Sequence, residues 1–212
     1  MKIYVRAAVK DLGDESSYVR HDIASDPNTR QQVLLQLSQD TDPYVLGGLL
    51  ANPNLSHEIL EQLASSRLSS VRYSLASNSR TPSDILDKLA FDEDWEVRGA
   101  VIGNWNTQAD TLIALFSEND ASNAMAFAHN PNTPSYILSK LIGMGADTED
   151  NCFICFEIMY NPNVTSEIIR EIVNFNNGDL INYTEAGNNL REAIILHPKT
   201  PEDVRQYVEG LE

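Results

Sequence analysis

A short polar turn recurs along this chain of 212 residues at Asp26, Asn52, Asn78, Asn104 and Asn130, each 26 residues after the last. It returns at Asn161 and His197 after intervals of 31 and 36. Proline follows the turn residue at Pro27, Pro53, Pro131, Pro162 and Pro198. A fixed period of this length marks a repeat array in which each period is one supersecondary unit. The flanks repeat in register as well. Around Asn78 the chain reads Val71-Arg72-Tyr73-Ser74-Leu75-Ala76-Ser77, then Arg80-Thr81-Pro82-Ser83-Asp84-Ile85-Leu86. Around His197 it reads Leu190-Arg191-Glu192-Ala193-Ile194-Ile195-Leu196, then Lys199-Thr200-Pro201-Glu202-Asp203-Val204.

Each unit is predicted to hold two short helices. In the first, Val71 to Ser77, the positions Val71, Ser74, Leu75 and Asn78 follow the i, i+3, i+4, i+7 spacing of one inward stripe. Proline disfavours helical backbone in the residue before it, so the Asn-Pro pair is expected to end this helix. Thr81 is expected to be the N-cap of the second helix, with Pro82 at its first position and Asp84 three residues after the cap. Inward positions there are Ile85, Leu86 and Leu89, matched by Ile59, Leu60 and Leu63, by Ile137, Leu138 and Leu141, and by Ile168, Ile169 and Ile172. Helices of about nine residues are marginal alone, so stability must come from stacking. The expected fold is therefore all-α: a single repeat domain, an α-solenoid of about seven two-helix repeats of about 26 residues. It would comprise a degenerate helical N-terminal cap over 1–17, regular repeats over 18–142, and two repeats with insertions over 143–212. The insertions fall at Gly143 to Asn151 and Asn174 to Asn188.

The pattern Val-Arg-x-x-Leu-Ala-x-Asn-Pro-x-Thr-Pro followed by Ile-Leu-x-x-Leu-Ala resembles the leucine-rich repeat variant family, a HEAT-like α-solenoid. Val71 to Ala90 and Val97 to Leu115 carry it best, and it covers nearly the whole chain. The resemblance implies a right-handed superhelix, in which α-helices alternate with shorter helices of α or 3₁₀ type, and a role in macromolecular interaction. Some members hold iron and sulfur on an N-terminal cysteine cluster. The first cysteine here is Cys152, so no cofactor is carried over.

Charge narrows the partners. Fifteen Lys and Arg stand against 31 Asp and Glu, a net charge of -16. That balance excludes direct nucleic-acid backbone binding and adhesion to anionic membranes, both of which use clusters of Lys and Arg. Residues 1–106 hold 10 basic and 15 acidic side chains, and residues 107–212 hold 5 and 16, so the net charge is -5 in the first half and -11 in the second. No apolar run approaches the ~18 residues of a membrane span, and Arg6 and Lys10 interrupt any secretory apolar stretch at the start. Two cysteines are no framework for a secreted domain of this size. A cytoplasmic protein is expected.

No catalytic motif emerges: the chain has no G-x-S-x-G, no phosphate-binding glycine loop and no dinucleotide fingerprint. Cys152 and Cys155 have redox or metal spacing, yet no second pair or nearby histidine completes a tetrahedral site, so structural packing is expected. His21, His57, His129 and His197 lie in four units without zinc spacing. The runs Asp92-Glu93-Asp94 and Asp147-Thr148-Glu149-Asp150 lack the glycine and glutamate of a calcium loop and suit helix starts. Arg20, Arg72, Arg98 and Arg191 share one slot and are expected to form salt-bridged ladders between adjacent units. The asparagine column of Asn52, Asn78, Asn104, Asn130 and Asn161 reads as turn and helix-end chemistry.

A stripe on the first helices remains. The slots eight, five and one before the turn residue lie within about 60° of one another, facing away from the valine slot. They hold Tyr18 and His21, Tyr44 and Gly47, Tyr73 and Ser77, Gly99 and Gly103, Met125 and His129, then Phe153, Phe156 and Tyr160. Aromatic, Met and His side chains on an exposed stripe suit a protein-binding surface, so Tyr44, Tyr73, Met125, His129, Phe153, Phe156 and Tyr160 are the candidate binding residues. The expected function is a non-enzymatic protein-protein interaction module whose acidic curved surface meets a partner with a basic patch. One alternative is an acidic nucleic-acid mimic inhibiting a DNA- or RNA-binding protein. Another is a redox or metal sensor using Cys152 and Cys155, and a third is an enzyme with an unfamiliar site.

Overall fold

The computed structural model describes residues 12, 15–117, 121–175 and 185–211, and the secondary structure there is helical without strands. Most of the expected cap over 1–17 and most of the second insertion lie outside the described residues. Among the described residues fourteen α-helices follow one another in pairs: α1 (Ser17–Ser25), α2 (Gln31–Leu37), α3 (Pro43–Ala51), α4 (His57–Ala64), α5 (Ser69–Ala76), α6 (Ser83–Leu89) and α7 (Trp95–Gly103), then α8 (Ala109–Leu115), α9 (Ala124–His129), α10 (Ser135–Leu141), α11 (Thr148–Tyr160), α12 (Ser166–Asn174), α13 (Glu185–Leu196) and α14 (Glu202–Glu209). The second helix of each pair is α-helical, and a 3₁₀ turn occurs at Ala121–Asn123, just before α9.

The chain divides into two compact units, Met1–Asn106 and Thr107–Glu212. In the first, α1 packs on α3, α3 on α5 and α5 on α7, while α2 packs on α4 and α4 on α6. In the second, α9 packs on α11 and α11 on α13, while α10 packs on α12 and α12 on α14. Like helices thus lie beside like helices within each unit. The core lies between these layers: Val45, Leu46, Leu49, Ile59, Leu63, Val71, Leu75, Ile85, Leu86 and Leu89 are buried in the first unit, and Ile137, Leu138, Leu141, Ile154, Ile158, Ile168, Ile169 and Ile172 in the second. The expected inward positions of the second helices hold, with Leu60 only half-buried. On α5 the stripe differs from expectation. Ser74 is exposed, and the buried set is Val71, Arg72, Leu75 and Ala76. The inward face is therefore i, i+1, i+4, i+5, and it takes in the arginine.

Helix ends show what the repeated polar residues do. Asn52 closes α3 in extended backbone with proline after it, and Asn104 closes α7 in the same conformation with Trp105 after it. Proline is thus dispensable for the stop. A side-chain acceptor on the turn residue is what the stops share: Asn52 Oδ1 accepts from Asn54 N at 2.9 Å, as Asp26 does from Asn28 N and His197 from Lys199 N, while Asn52 Nδ2 donates to Ala24 O at 2.7 Å and Asp26 O at 2.9 Å at the end of α1. Asn104 repeats the arrangement on Ala76 O and Asn78 O, and Asn161 on Ala128 O and Asn130 O. Buried carbonyls at a helix C-terminus need such donors. A second column two residues later does the same nearer the surface. Asn54 donates to Pro27 O, Asn106 to Ser79 O, Asn132 to Thr107 O and Asn163 to Pro131 O; at Lys199 the ammonium takes over, donating to Pro162 O and Val164 O.

The threonine slot corrects another expectation. Thr81 is not the cap of α6, whose N-cap is Pro82; it is buried, and its hydroxyl donates to Leu75 O, six residues back. Thr29, Thr133 and Thr200 tie Ile23 O, Phe127 O and Ile194 O in the same way. Each threonine therefore closes the first helix rather than opening the second. In the fifth-to-sixth connection the insertion becomes a capped extension of α11. Asp147 accepts from Asp150 N, and Asn151 accepts from Gly145 N and donates to Asp147 O. Gly143 has a φ of 87°, and an added Cβ would lie 2.6 Å from Phe175 Cε2, so the turn before the insertion requires glycine.

Candidate functional site

Most side chains that could carry chemistry are bound into the scaffold. Arg72 is 7% exposed; its Nε and Nη2 grip Asp92 at 2.6 and 2.8 Å, and its Nη1 donates to Ser66 O. Arg20 grips Asp40 in the next repeat in the same way, at 2.6 and 3.2 Å. The expected ladder between adjacent units therefore exists at these two rungs. Arg98 donates instead to Asp92 O and Glu93 O, and Arg191 to Leu211 O and Asn188. The Arg72 hydrogen bond holds the Asp92 carboxyl below the usual carboxylate range, against the opposing effect of burial. Asp92 also accepts from Asp94 N, and Asp94 caps α7 by accepting from Glu96 N. The acidic run at 92–94 is thus ion-pair and cap chemistry, as Asp147 is for α11.

Cys152 and Cys155 are both fully buried on α11, and burial, followed by the neighbouring Cys152, pushes the Cys155 thiol well above its ordinary range. Such a thiol stays protonated and unreactive. Ile154 fills the valine slot between them. Among the described residues no three His, Cys, Asp or Glu side chains are grouped to hold a metal ion.

The stripe residues separate into two clusters. On α1 and α3, the His21 ring stacks on Tyr44 at 4.1 Å between centroids, and Tyr18 meets Tyr44 edge-on at 5.6 Å. Beside them Gly48 lets the helices touch, since a Cβ there would lie 2.7 Å from His21 Cδ2. On α11, Phe156 and Tyr160 lie 4.9 Å apart, and one turn earlier Glu157 reaches back to His129 Nδ1 of α9 at 3.0 Å. Tyr73, Met125 and Phe153 are each about half exposed and belong to neither ring cluster. Phe156 is half-buried, and Tyr160 is 68% exposed.

Beside Phe156 and Tyr160 runs a groove of about 420 Å³, lined by Phe156, Met159 and Tyr160 of α11, Asn189, Glu192, Ala193 and Leu196 of α13, and His197 and Pro198 beyond it. Asn189, Glu192 and Leu196 occupy the slots eight, five and one before His197, the same slots that Phe153, Phe156 and Tyr160 hold before Asn161. The groove is therefore bounded by the stripe slots of two successive first helices. Those slots form the predicted stripe in six repeats, and the register around His197 adds Asn189, Glu192 and Leu196 as a seventh set without an aromatic side chain to mark it. Exposed aromatics are not confined to the stripe either. Phe91, Trp95 and Trp105 are more than half exposed at turns and a helix start.

No family model, no curated protein and no solved structure matches this chain.

Proposed function

We propose that this chain is an α-solenoid of the leucine-rich repeat variant type that works as a non-enzymatic protein-binding scaffold. One observation carries the reading. The asparagine, threonine, arginine and cysteine columns are taken up by contacts within and between repeats, whereas Tyr44, Tyr73, Met125, Phe153 and Tyr160 of the stripe keep about half or more of their surface open, beside Phe156 and the Glu157-paired His129. Extended faces of stacked repeats are the binding surfaces of such folds, and exposed aromatic and methionine side chains are enriched where proteins meet. The net charge of -16 calls for a partner with a basic patch, which it attracts over a distance of order the screening length. A cytoplasmic setting suits two unoxidised cysteines.

The test immobilises the full chain and captures partners at about 50 mM and about 500 mM salt, a range over which the screening length falls by roughly threefold. Tyr73→Ala and Tyr160→Ala serve as comparators because both side chains are exposed and their loss leaves the core intact. A partner lost at high salt and weakened by either substitution supports the proposal. A partner indifferent to both salt and substitution refutes it.

A further inference from the structure

We propose that the groove between α11 and α13 is a docking cleft for a short peptide segment that presents an arginine beside an aliphatic residue. The inference deepens the scaffold reading by assigning a site and a ligand chemistry to it. Two walls of different character define the cleft. On α11 stand the Phe156 and Tyr160 rings, tilted 57° to each other, with Tyr160 largely open to solvent. On α13 stand Glu192, Ala193 and Leu196, the last 72% exposed. Leucine that exposed beside an open tyrosine is an unfilled apolar contact, of the size that peptide side chains fill.

Charge decides the occupant. Among the described residues Glu192 is the only ionised side chain lining the groove, and it has no ion-pair or hydrogen-bond partner there. Its counterparts are already used: Glu157 faces His129, and Arg191, in the neighbouring hollow of about 430 Å³, donates to Leu211 O and Asn188. His197, at the end of the groove, is held neutral more firmly than an ordinary histidine by burial and then by Lys199. The surrounding unit carries a net charge of -11. An acidic peptide is therefore repelled, and a purely apolar one leaves Glu192 unanswered. A guanidinium meets both walls at once: its plane stacks on a tyrosine face, and its fork of N–H donors pairs with a carboxylate.

The probe is the blocked tripeptide acetyl-Leu-Arg-Leu-amide, titrated into isotopically labelled full-length protein while amide shifts are followed by NMR. Acetyl-Leu-Gln-Leu-amide and acetyl-Leu-Glu-Leu-amide serve as controls. Saturable shifts at Tyr160, Glu192 and Leu196, at least about fivefold weaker binding of the Gln peptide and none of the Glu peptide are expected. Glu192→Gln and Tyr160→Ala each reduce affinity for the Arg peptide about five- to tenfold, as loss of one cation–π or charge-assisted contact requires. Both side chains are exposed, and an unchanged far-UV spectrum verifies that the variants fold. Absence of saturable shifts, equal binding of the Gln peptide, or indifference to Glu192→Gln overturns the cleft. The outcomes are separable from those of the scaffold reading: a salt-sensitive partner that depends on Tyr73 but not on Tyr160 keeps the scaffold and rejects this cleft.

Discussion

Replacing Asn52 by alanine tests whether the repeat is stopped and stacked by asparagine rather than by proline. The substitution removes the Nδ2 bonds to Ala24 O and Asp26 O and the Oδ1 bond from Asn54 N. Asp26 O keeps the Thr29 N–H at 3.0 Å, and the Asn54 amide is exposed and finds water. Ala24 is fully buried, so its carbonyl is left without that donor. A net loss of about 1 kcal/mol for an ordinary hydrogen bond, plus about 1–3 kcal/mol for a stranded buried acceptor, gives a destabilisation of about 3 kcal/mol. For a chain of this length that corresponds to a drop in Tm of about 6–12 °C. Pro53→Ala is the control. Pro53 is exposed, and α7 ends in the same way before Trp105, so its loss costs under about 1 kcal/mol, chiefly through a freer unfolded chain. Urea titrations of both variants, followed by far-UV circular dichroism, measure the two costs. A Pro53→Ala effect equal to or larger than that of Asn52→Ala, or an Asn52→Ala cost under about 1 kcal/mol, refutes the reasoning.

Adjacent glycines should respond with opposite sign. Gly47→Ala meets open space in mid-helix and stabilises by about 0.5–1 kcal/mol, whereas Gly48→Ala drives a Cβ to 2.8 Å from the His21 carbonyl oxygen and destabilises by about 1–3 kcal/mol; thermal melts in which both shift the same way contradict the packing of α1 on α3. Asp92→Asn removes the charge that Arg72 Nε and Nη2 grip, leaving the guanidinium Ser66 O and the exposed Glu93, and costs about 2 kcal/mol at pH 7. Because Arg72 holds the Asp92 carboxyl low, the wild-type advantage is fully present above the unfolded-chain value near about 3.9 and is lost as pH falls through the folded value. The gap in urea midpoint between wild type and variant should therefore narrow as pH is lowered from 7 toward 3, and an equal gap at both pH values rejects the pair as the cause. Cys152 and Cys155 should resist a thiol reagent at pH 8 in the native protein and both react in denaturant; stoichiometric labelling of the native state within minutes would contradict their burial.

The period of 26 residues alone determined that the chain is helical, that the helices come in short pairs, and which apolar residues face inward on the second helices. Each of these depends on local pattern: a 3.6-residue stripe and a helix too short to stand alone. The arginine ladder was legible for two of its four rungs, where the turn that follows the second helix places an aspartate, Asp40 or Asp92, within reach of Arg20 or Arg72. What sequence could not decide is the purpose of side chains whose partners lie outside their own turn. Thr81 beside Pro82 reads as a cap in one dimension, yet in three its hydroxyl reaches back to Leu75 O. Ser74 and Arg72 exchange their expected exposure because the neighbouring repeat supplies Asp92, which makes a buried guanidinium tolerable. The second asparagine column, from Asn54 to Asn163, recurs two residues after the turn residue, yet its duty is hidden in the sequence because its acceptors are backbone carbonyls of the preceding repeat. The groove of Tyr160, Glu192 and Leu196 likewise exists only once α11 and α13 lie side by side. Local propensity thus fixed the units, and packing between neighbouring repeats decided which of their polar and aromatic groups are structural and which remain open to a partner.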